Sequence, residues 1–239
     1  MEEIKIHTAG DSSVLIEFGQ EISPEINAKI TAFVHLMKAQ HVEGVKDMIP
    51  AFTSLLINYD PRVVNYGALK ERLEKLLKLE VSQETAPSRI FDIPVCYGGE
   101  YGPDLENIAM HANLSTQEVI DIHSSEDYLI YMLGFLPGFS YLGGLDERIH
   151  TPRLANPRIK IPAGSGGSQT GIYPLDSPGG WQLLGLTPVK TYDPNREIPI
   201  LFEAGDYIHF VPVTEKDFLE IKEQVNQGTY ECVIRQKGV

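Results

Sequence analysis

Hydrophobic positions in this 239-residue chain change their spacing once, near residue 80. Before that point short alternating runs give way twice to helical spacing. Ile4–Ile6 and Ser13–Phe18 read as strands around a turn at Gly10-Asp11. Ser23-Pro24-Glu25 is a helix start, with a capping serine, a proline at the first helical position and an acid in the first turn. Ile26, Ile30, Phe33, Val34 and Met37 then fall on one helical face. Val45–Ile49 and Ser54–Tyr59 read as two more strands, and Leu69, Leu73, Leu76 and Leu77 mark a second amphipathic helix. The predicted order is ββαββα, an α+β layer with helices over one face of an antiparallel sheet.

The segment 80–88, EVSQETAPS, breaks this pattern and predicts a linker between domains at 1–82 and 89–239. Beyond it Arg89–Val95 reads as a strand, followed by a Gly/Pro turn at 98–103. Ser115-Thr116-Gln117-Glu118 is a capping box that opens a short helix with Val119 and Ile122 inward. From 128 to 212 short apolar runs are broken by Gly and Pro, which predicts a barrel or a sandwich. Gly205-Asp206 reads as a turn between strands Ile198–Phe202 and Tyr207–Val211. Thr214-Glu215-Lys216-Asp217 starts a helix to about Val225, and Thr229–Arg235 is a closing strand.

Composition narrows the function classes. A hydrophobic share of 42% and a charged share of 22% suit a soluble globular chain. A net charge of −13 opposes general nucleic-acid binding. The start MEEIKIHTAG lacks the basic and apolar regions of a signal peptide, and no run is long enough to span a bilayer, so the expected location is the cytoplasm, off the membrane. Cys96 and Cys232 stand in no CxxC pair, and the seven histidines form no HExxH, so no metal site is expected.

Residues 134–190 depart from the acidic whole. Arg148, Arg153, Arg158, Lys160 and Lys190 face only Asp146, Glu147 and Asp176, a local charge of +2. The segment also holds Phe135, Phe139, Tyr141, Tyr173 and Trp181. A basic, aromatic surface on an acidic chain is suited to receive an anion, although arginines in turns also serve simply as solvated residues. The GSGGSQTG run at 164–171 lacks the lysine of a phosphate loop, and it reads either as an anion-binding turn of successive N–H groups or as a turn that needs glycine. Ser140 and Ser168 both miss the second glycine of a nucleophile elbow. Arg153 and Arg158 are candidates to hold a carboxylate or phosphate, and Gln169, Thr170 and Tyr173 to bond an amide. Asp104 and Glu106 read as surface acids.

Five Gly/Pro/aromatic blocks occur in order: GFLPGFSYLGGL (134–145), TPR (151–153), PAGS (162–165), QTGIYP (169–174) and SPGGWQLLG (177–185). With GDSSVLIEFG (10–19) and EAGDYIHFVPVT (203–214), this set resembles the family of the 5-oxoprolinase B subunit. That family also takes in allophanate hydrolase subunit 1 and the sporulation-kinase inhibitor KipI. The resemblance implies a cyclophilin-like β-barrel after the N-terminal ββαββα domain. It implies ATP-dependent opening of 5-oxoproline to L-glutamate together with subunits A and C, the chain being inactive without them. It also implies, as alternatives, inhibition of a sporulation histidine kinase by direct contact, or the role of allophanate hydrolase subunit 1. Phe139, Tyr141, Arg153, Arg158, Ser165, Gln169 and Tyr173 are the residues expected to line the substrate or partner surface. No catalytic residue is assigned on this chain. One departure stands out: only Gly166-Gly167-Ser168 separates PAGS from QTG, a shorter run than the family usually has.

Overall fold

Val14, Ile16 and Phe18 alternate with less buried neighbours, and in the computed structural model, which describes residues 4–79, 88–167 and 171–237, all three side chains are buried. The chain divides into two units, Met1–Pro87 and Ser88–Val239. In the first, strands β1 (Lys5–Thr8) and β2 (Ser13–Glu17) precede helix α1 (Pro24–Ala39), and β3 (Val45–Pro50) and β4 (Ser54–Tyr59) precede α2 (Tyr66–Lys78). The sheet order is β1-β2-β4-β3, antiparallel at every pairing. Both helices are capped by short polar side chains: Ser23 accepts from the Ile26 N–H at 3.2 Å, and Asn65 from the Ala68 N–H at 3.0 Å. One face of the sheet packs on Ile30, Phe33 and Met37 of α1 and Leu69, Leu73 and Leu76 of α2. These are the positions that the helical spacing selects.

The second unit mixes helices with a seven-stranded sheet that curls into half a barrel. Its elements are β5 (Arg89–Tyr97), α3 (Leu105–Ala112), α4 (Thr116–Ser124), β6 (Asp127–Leu133), β7 (Ser140–Gly143), β8 (Arg158–Ile161), β9 (Ser165–Gly167), β10 (Ser177–Gly179), β11 (Leu183–Leu186), β12 (Tyr207–Pro212), α5 (Glu215–Gln227) and β13 (Val233–Gln236). The main sheet runs β7-β6-β12-β5-β11-β9, and β13 also pairs with β5. β5 runs parallel to β12, while its start pairs with β13 and its end with β11. This nine-residue strand is the hub of the unit, and it is apolar on both faces because both are covered. β8 and β10 form a separate two-stranded ribbon.

Three clusters fill this unit. Phe91, Ile93, Tyr128, Phe202 and Phe210 lie in the main one, Leu105, Ile108, Val119 and Leu184 hold α3 and α4, and Phe139, Ile161, Tyr173, Trp181 and Leu183 make an aromatic group beside the ribbon. The capping boxes at Ser115/Glu118 and Thr214/Asp217 both form.

Two sequence expectations are corrected. Leu105–Ala112 is a helix, where only a turn and two surface acids were expected. Its Asp104 cap position makes no side-chain cap bond, so it gave no start signal. The strand expected at Ile198–Phe202 is reduced to a single pairing between Tyr192 and Ile200. The linker expected at 80–88 lies, apart from Ser88, outside the described residues. Among the described residues no helix is long and apolar enough to cross a membrane.

Candidate functional site

The ribbon and the segments around it bring the sequence blocks together. The Arg158 guanidinium, at the start of β8, donates to Asp104 at 2.7 Å and to the Trp181 carbonyl at 3.2 Å. The other Asp104 oxygen accepts from the Leu183 N–H at 2.7 Å. Asp104 is therefore a buried acid, 7% exposed, and not the surface residue expected. Gln182, also buried, donates to the Pro152 carbonyl at 3.2 Å and accepts from Asn107 at 2.9 Å. The Leu154 N–H donates to the Gly180 carbonyl at 2.7 Å. Through these bonds α3, the TPR segment, β8 and the SPGGWQLLG segment become one assembly. The side chains of Asp104 and Gln182 both have partners at each end, which is what their burial requires.

The aromatic rings form a chain across the same region. Phe139 contacts Phe135 at 5.6 Å between ring centroids, Tyr141 at 5.0 Å, Tyr173 at 5.7 Å and Trp181 at 5.5 Å. Most of these contacts are edge-on, the arrangement the ring quadrupoles favour. Phe139, Tyr173 and Trp181 are buried, while Phe135 is 70% exposed.

Of the residues expected at a binding surface, Phe139, Ser165 and Tyr173 are thus turned inward. Tyr141 and Arg158 are half-buried, Arg153 is exposed, and Gln169 lies outside the described residues. The glycine run, read from sequence either as an anion-binding turn or as a turn that needs glycine, is already engaged at its start: the Gly164 N–H donates to the Tyr173 carbonyl and the Ser165 N–H to the Pro162 carbonyl. Gly166 and Gly167 continue into the pairing with β11.

The local cations differ in whether an acid neutralises them. Arg148 pairs with Asp146 at 2.6 Å, Arg158 with Asp104 at 2.7 Å, Lys160 with Asp176 at 2.7 Å and Lys190 with Asp193 at 3.8 Å. The Arg148 guanidinium holds the Asp146 carboxyl down to about 2. Arg153 has no carboxylate within ion-pair distance among the described residues. It lies beside the Tyr173 hydroxyl, whose pKa burial raises and Arg153 draws back. The sequence signal of +2 therefore concentrates at one arginine, a distinction that depends on which acids are near in space.

A pocket of about 440 Å³ opens elsewhere, at the start of α3, where Gly98, Gly102, Glu106 and Thr116 are among its lining residues. Among the described residues Glu106 is its one charged lining group, which does not suit an anion. Among the described residues no group of three or more His, Cys, Asp or Glu could hold a metal ion. Nor does the segment 134–190 fit a nucleoside triphosphate: its glycine run has N–H groups engaged at its start, and four of its five cations are already paired.

His123 and Cys232 are perturbed groups that carry no signal in the sequence. Burial drives the His123 pKa down to about 3 and the Cys232 thiol up to about 12. His123 Nδ1 is 2.7 Å from the Tyr97 hydroxyl and its ring stacks on Phe210, so it is a satisfied core group.

Known proteins resemble this chain in sequence and in fold. The family model of the carboxyltransferase domain, subdomain C and D, matches residues 4–202. The 5-oxoprolinase B subunit of Bacillus subtilis (strain 168) is 43% identical, covering 93% of this chain and 98% of the relative. The chain belongs to the 5-oxoprolinase B-subunit family. The Escherichia coli O157:H7 member of this family is 40% identical over 90% of this chain and 99% of its own length. Among solved structures, the conserved uncharacterized protein PH0987 from Pyrococcus horikoshii is 46% identical, with a TM-score of 0.53 over 90% of this chain and all of that one. TTHA0988 is 37% identical with a TM-score of 0.74, and the match takes in 84% of this chain but 40% of that one. The K. lactis urea amidolyase, 22% identical with a TM-score of 0.76, shares the fold over 98% of this chain and 16% of its own. This chain thus shares with much longer chains a fold that here accounts for almost the whole sequence.

Proposed function

We propose that this chain is the B subunit of an ATP-dependent 5-oxoprolinase that opens 5-oxoproline to L-glutamate together with subunits A and C. The observation that carries the reading is the match of nearly full length to relatives that bear the 5-oxoprolinase B-subunit name, at 43% and 40% identity. A lactam is a poor electrophile, and its opening needs the carbonyl activated and developing charge stabilised. The sequence carries no complete phosphate loop or nucleophile elbow, so in this reading ATP and the remaining catalytic groups lie on the partner subunits and the chain alone is inactive. Its own contribution is a face built from the Gly/Pro blocks, which holds substrate or meets a partner through Tyr141 and Arg153, with Arg158 holding the ribbon to Asp104 and Phe139, Ser165 and Tyr173 packed inward; Gln169 is proposed to serve the same surface.

In this reading 1–82 is the ββαββα domain, 89–239 is the cyclophilin-like barrel, and the complex works in the cytoplasm. A barrel of this kind does not by itself bring prolyl isomerase activity. Inhibition of a sensor histidine kinase rests on the family resemblance alone.

The test is co-expression with candidate subunits A and C and an assay for ATP-dependent loss of 5-oxoproline. Turnover by the three together, and none by this chain alone, is the expected result. Turnover by the single purified chain removes the need for partners, and no turnover by the assembled complex removes the function.

A further inference from the structure

We propose that Arg153, with the Tyr173 hydroxyl beside it, is the specificity-determining site for the substrate's carboxylate. The inference rests on the substrate proposed above and assigns one residue to one of its groups. 5-Oxoproline has two polar ends. The lactam carbonyl reacts, and the carboxylate on the ring does not, so the carboxylate is a handle for binding and selection.

Three observations lead to Arg153. It is the cation of the 134–190 segment that no described acid neutralises. A guanidinium without a carboxylate partner can offer its planar fork to one, a bidentate geometry that a lysine cannot reproduce. Second, its backbone is fixed: the Pro152 carbonyl accepts from Gln182, and the Leu154 N–H donates to the Gly180 carbonyl. The residues on either side of Arg153 are thus pinned to the SPGGWQLLG segment. Third, a hydroxyl donor is held at the same place. Tyr173 has its ring buried at 2% exposure, and its hydroxyl approaches Gly179 so closely that any side chain there would collide with it. A glycine at 179 leaves room for this hydroxyl, and the next residue, Gly180, lies against Arg153, whose Cβ is 3.8 Å from where a side chain at 180 would begin. An arginine on a pinned backbone, with a buried hydroxyl behind it, has fewer degrees of freedom to freeze when it receives a carboxylate. Arg158, the other candidate, is excluded because Asp104 and the Trp181 carbonyl occupy its guanidinium.

The experiment uses the assembled complex of this chain with subunits A and C. Steady-state kinetics are measured for 5-oxoproline and for 2-pyrrolidone, the same lactam without the carboxylate. Arg153→Gln is expected to raise KM for 5-oxoproline roughly 30-fold, the scale of a lost charge-assisted bond, with kcat changed little. Arg153→Lys should fall between, since it restores charge without the fork. Handling of 2-pyrrolidone should be the same in all three. An unchanged KM for 5-oxoproline overturns the assignment, as does an equal loss for both lactams. Weakened assembly with KM unchanged at saturating subunits A and C also overturns it, because the arginine would then meet a carboxylate of a partner protein. If the wild-type complex shows no turnover, the functional reading fails separately. Calorimetric binding of 5-oxoproline to that complex then decides: binding that Arg153→Gln abolishes retains the site, and no binding overturns it.

Discussion

Asp104 and Arg158 stand 54 positions apart in sequence, and their carboxylate and guanidinium meet at 2.7 Å. One carboxylate thereby closes two unrelated needs. It neutralises the ribbon's arginine, and it accepts the buried Leu183 N–H of β11. The start of α3 is docked to the sheet in the same place, and Gly102 just before it lies so close to the Leu184 carbonyl that a side chain could not be accommodated. Asp104→Ala leaves a half-buried guanidinium without its acid and a buried N–H without its acceptor. A loss of about 2–3 kcal/mol is expected, less than for a fully buried pair because Arg158 keeps some solvent. Urea unfolding measures it. Asp104→Ala combined with Arg158→Met should be less damaging than the sum of the two single changes, and strict additivity would show that the pair is not coupled.

Phe135 and Phe139 make opposite predictions although their rings touch. Phe139 is 3% exposed within the aromatic cluster, and Phe139→Ala should cost about 3–5 kcal/mol. Phe135 is 70% exposed and holds a left-handed backbone, φ 64°, which disfavours a bulky side chain. Phe135→Gly relieves that strain, and the expected change is within about 1 kcal/mol of zero. Thermal unfolding of the two variants separates them, and a large loss at Phe135 would mean that the ring is held more firmly than its exposure indicates.

His123 gives the unit an acid-sensitive term. Its folded pKa of about 3 lies below the ordinary 6.5 because burial disfavours the charged ring. Between those values the unfolded chain binds a proton that the folded chain refuses, so stability falls as pH drops from 6.5 towards 3. From pH 7 to pH 5 this contributes a loss of about 2 kcal/mol. His123→Asn should be less stable at pH 7, since the contacts to Tyr97 and Phe210 are lost, but should lose less on acidification. Denaturant titrations of both proteins at the two pH values test this, and equal slopes would argue that His123 protonates without unfolding.

Limited proteolysis addresses the proposed domain division. The Ser88 carbonyl accepts from the Lys237 N–H at 2.8 Å, so the second unit begins with a residue tied to its last strand's end. A first cut between 80 and 87, leaving a stable fragment from about residue 88 onward, is the expected outcome. First cleavage inside 134–167 would instead mark the Gly/Pro blocks as the weakest part of the chain.

Local signals were legible where one residue's chemistry decides local geometry. Ser23, Ser115 and Thr214 announced helix starts because a short polar side chain meets an orphan N–H only three residues on. The burial of Ile30, Phe33 and Met37 was legible because a helix repeats every 3.6 residues. The blocks between 134 and 185 named a family before any contact was known. The start of α3 was hidden, since Asp104 turns its carboxylate to β8 and β11 and not to its own helix.

What the sequence by itself determined is the family, most elements and the presence of a basic, aromatic segment. Only the tertiary structure decided which of that segment's cations remain without an acid. Arg153 and Arg158 read alike in sequence, each beside a proline and each a candidate for an anion. The acid that separates them comes from 54 residues before Arg158, and no local pattern encodes that distance. Coulomb attraction and hydrogen bonding depend on separation in space, and folding alone brings Asp104 to one arginine and leaves the other without an acid among the described residues.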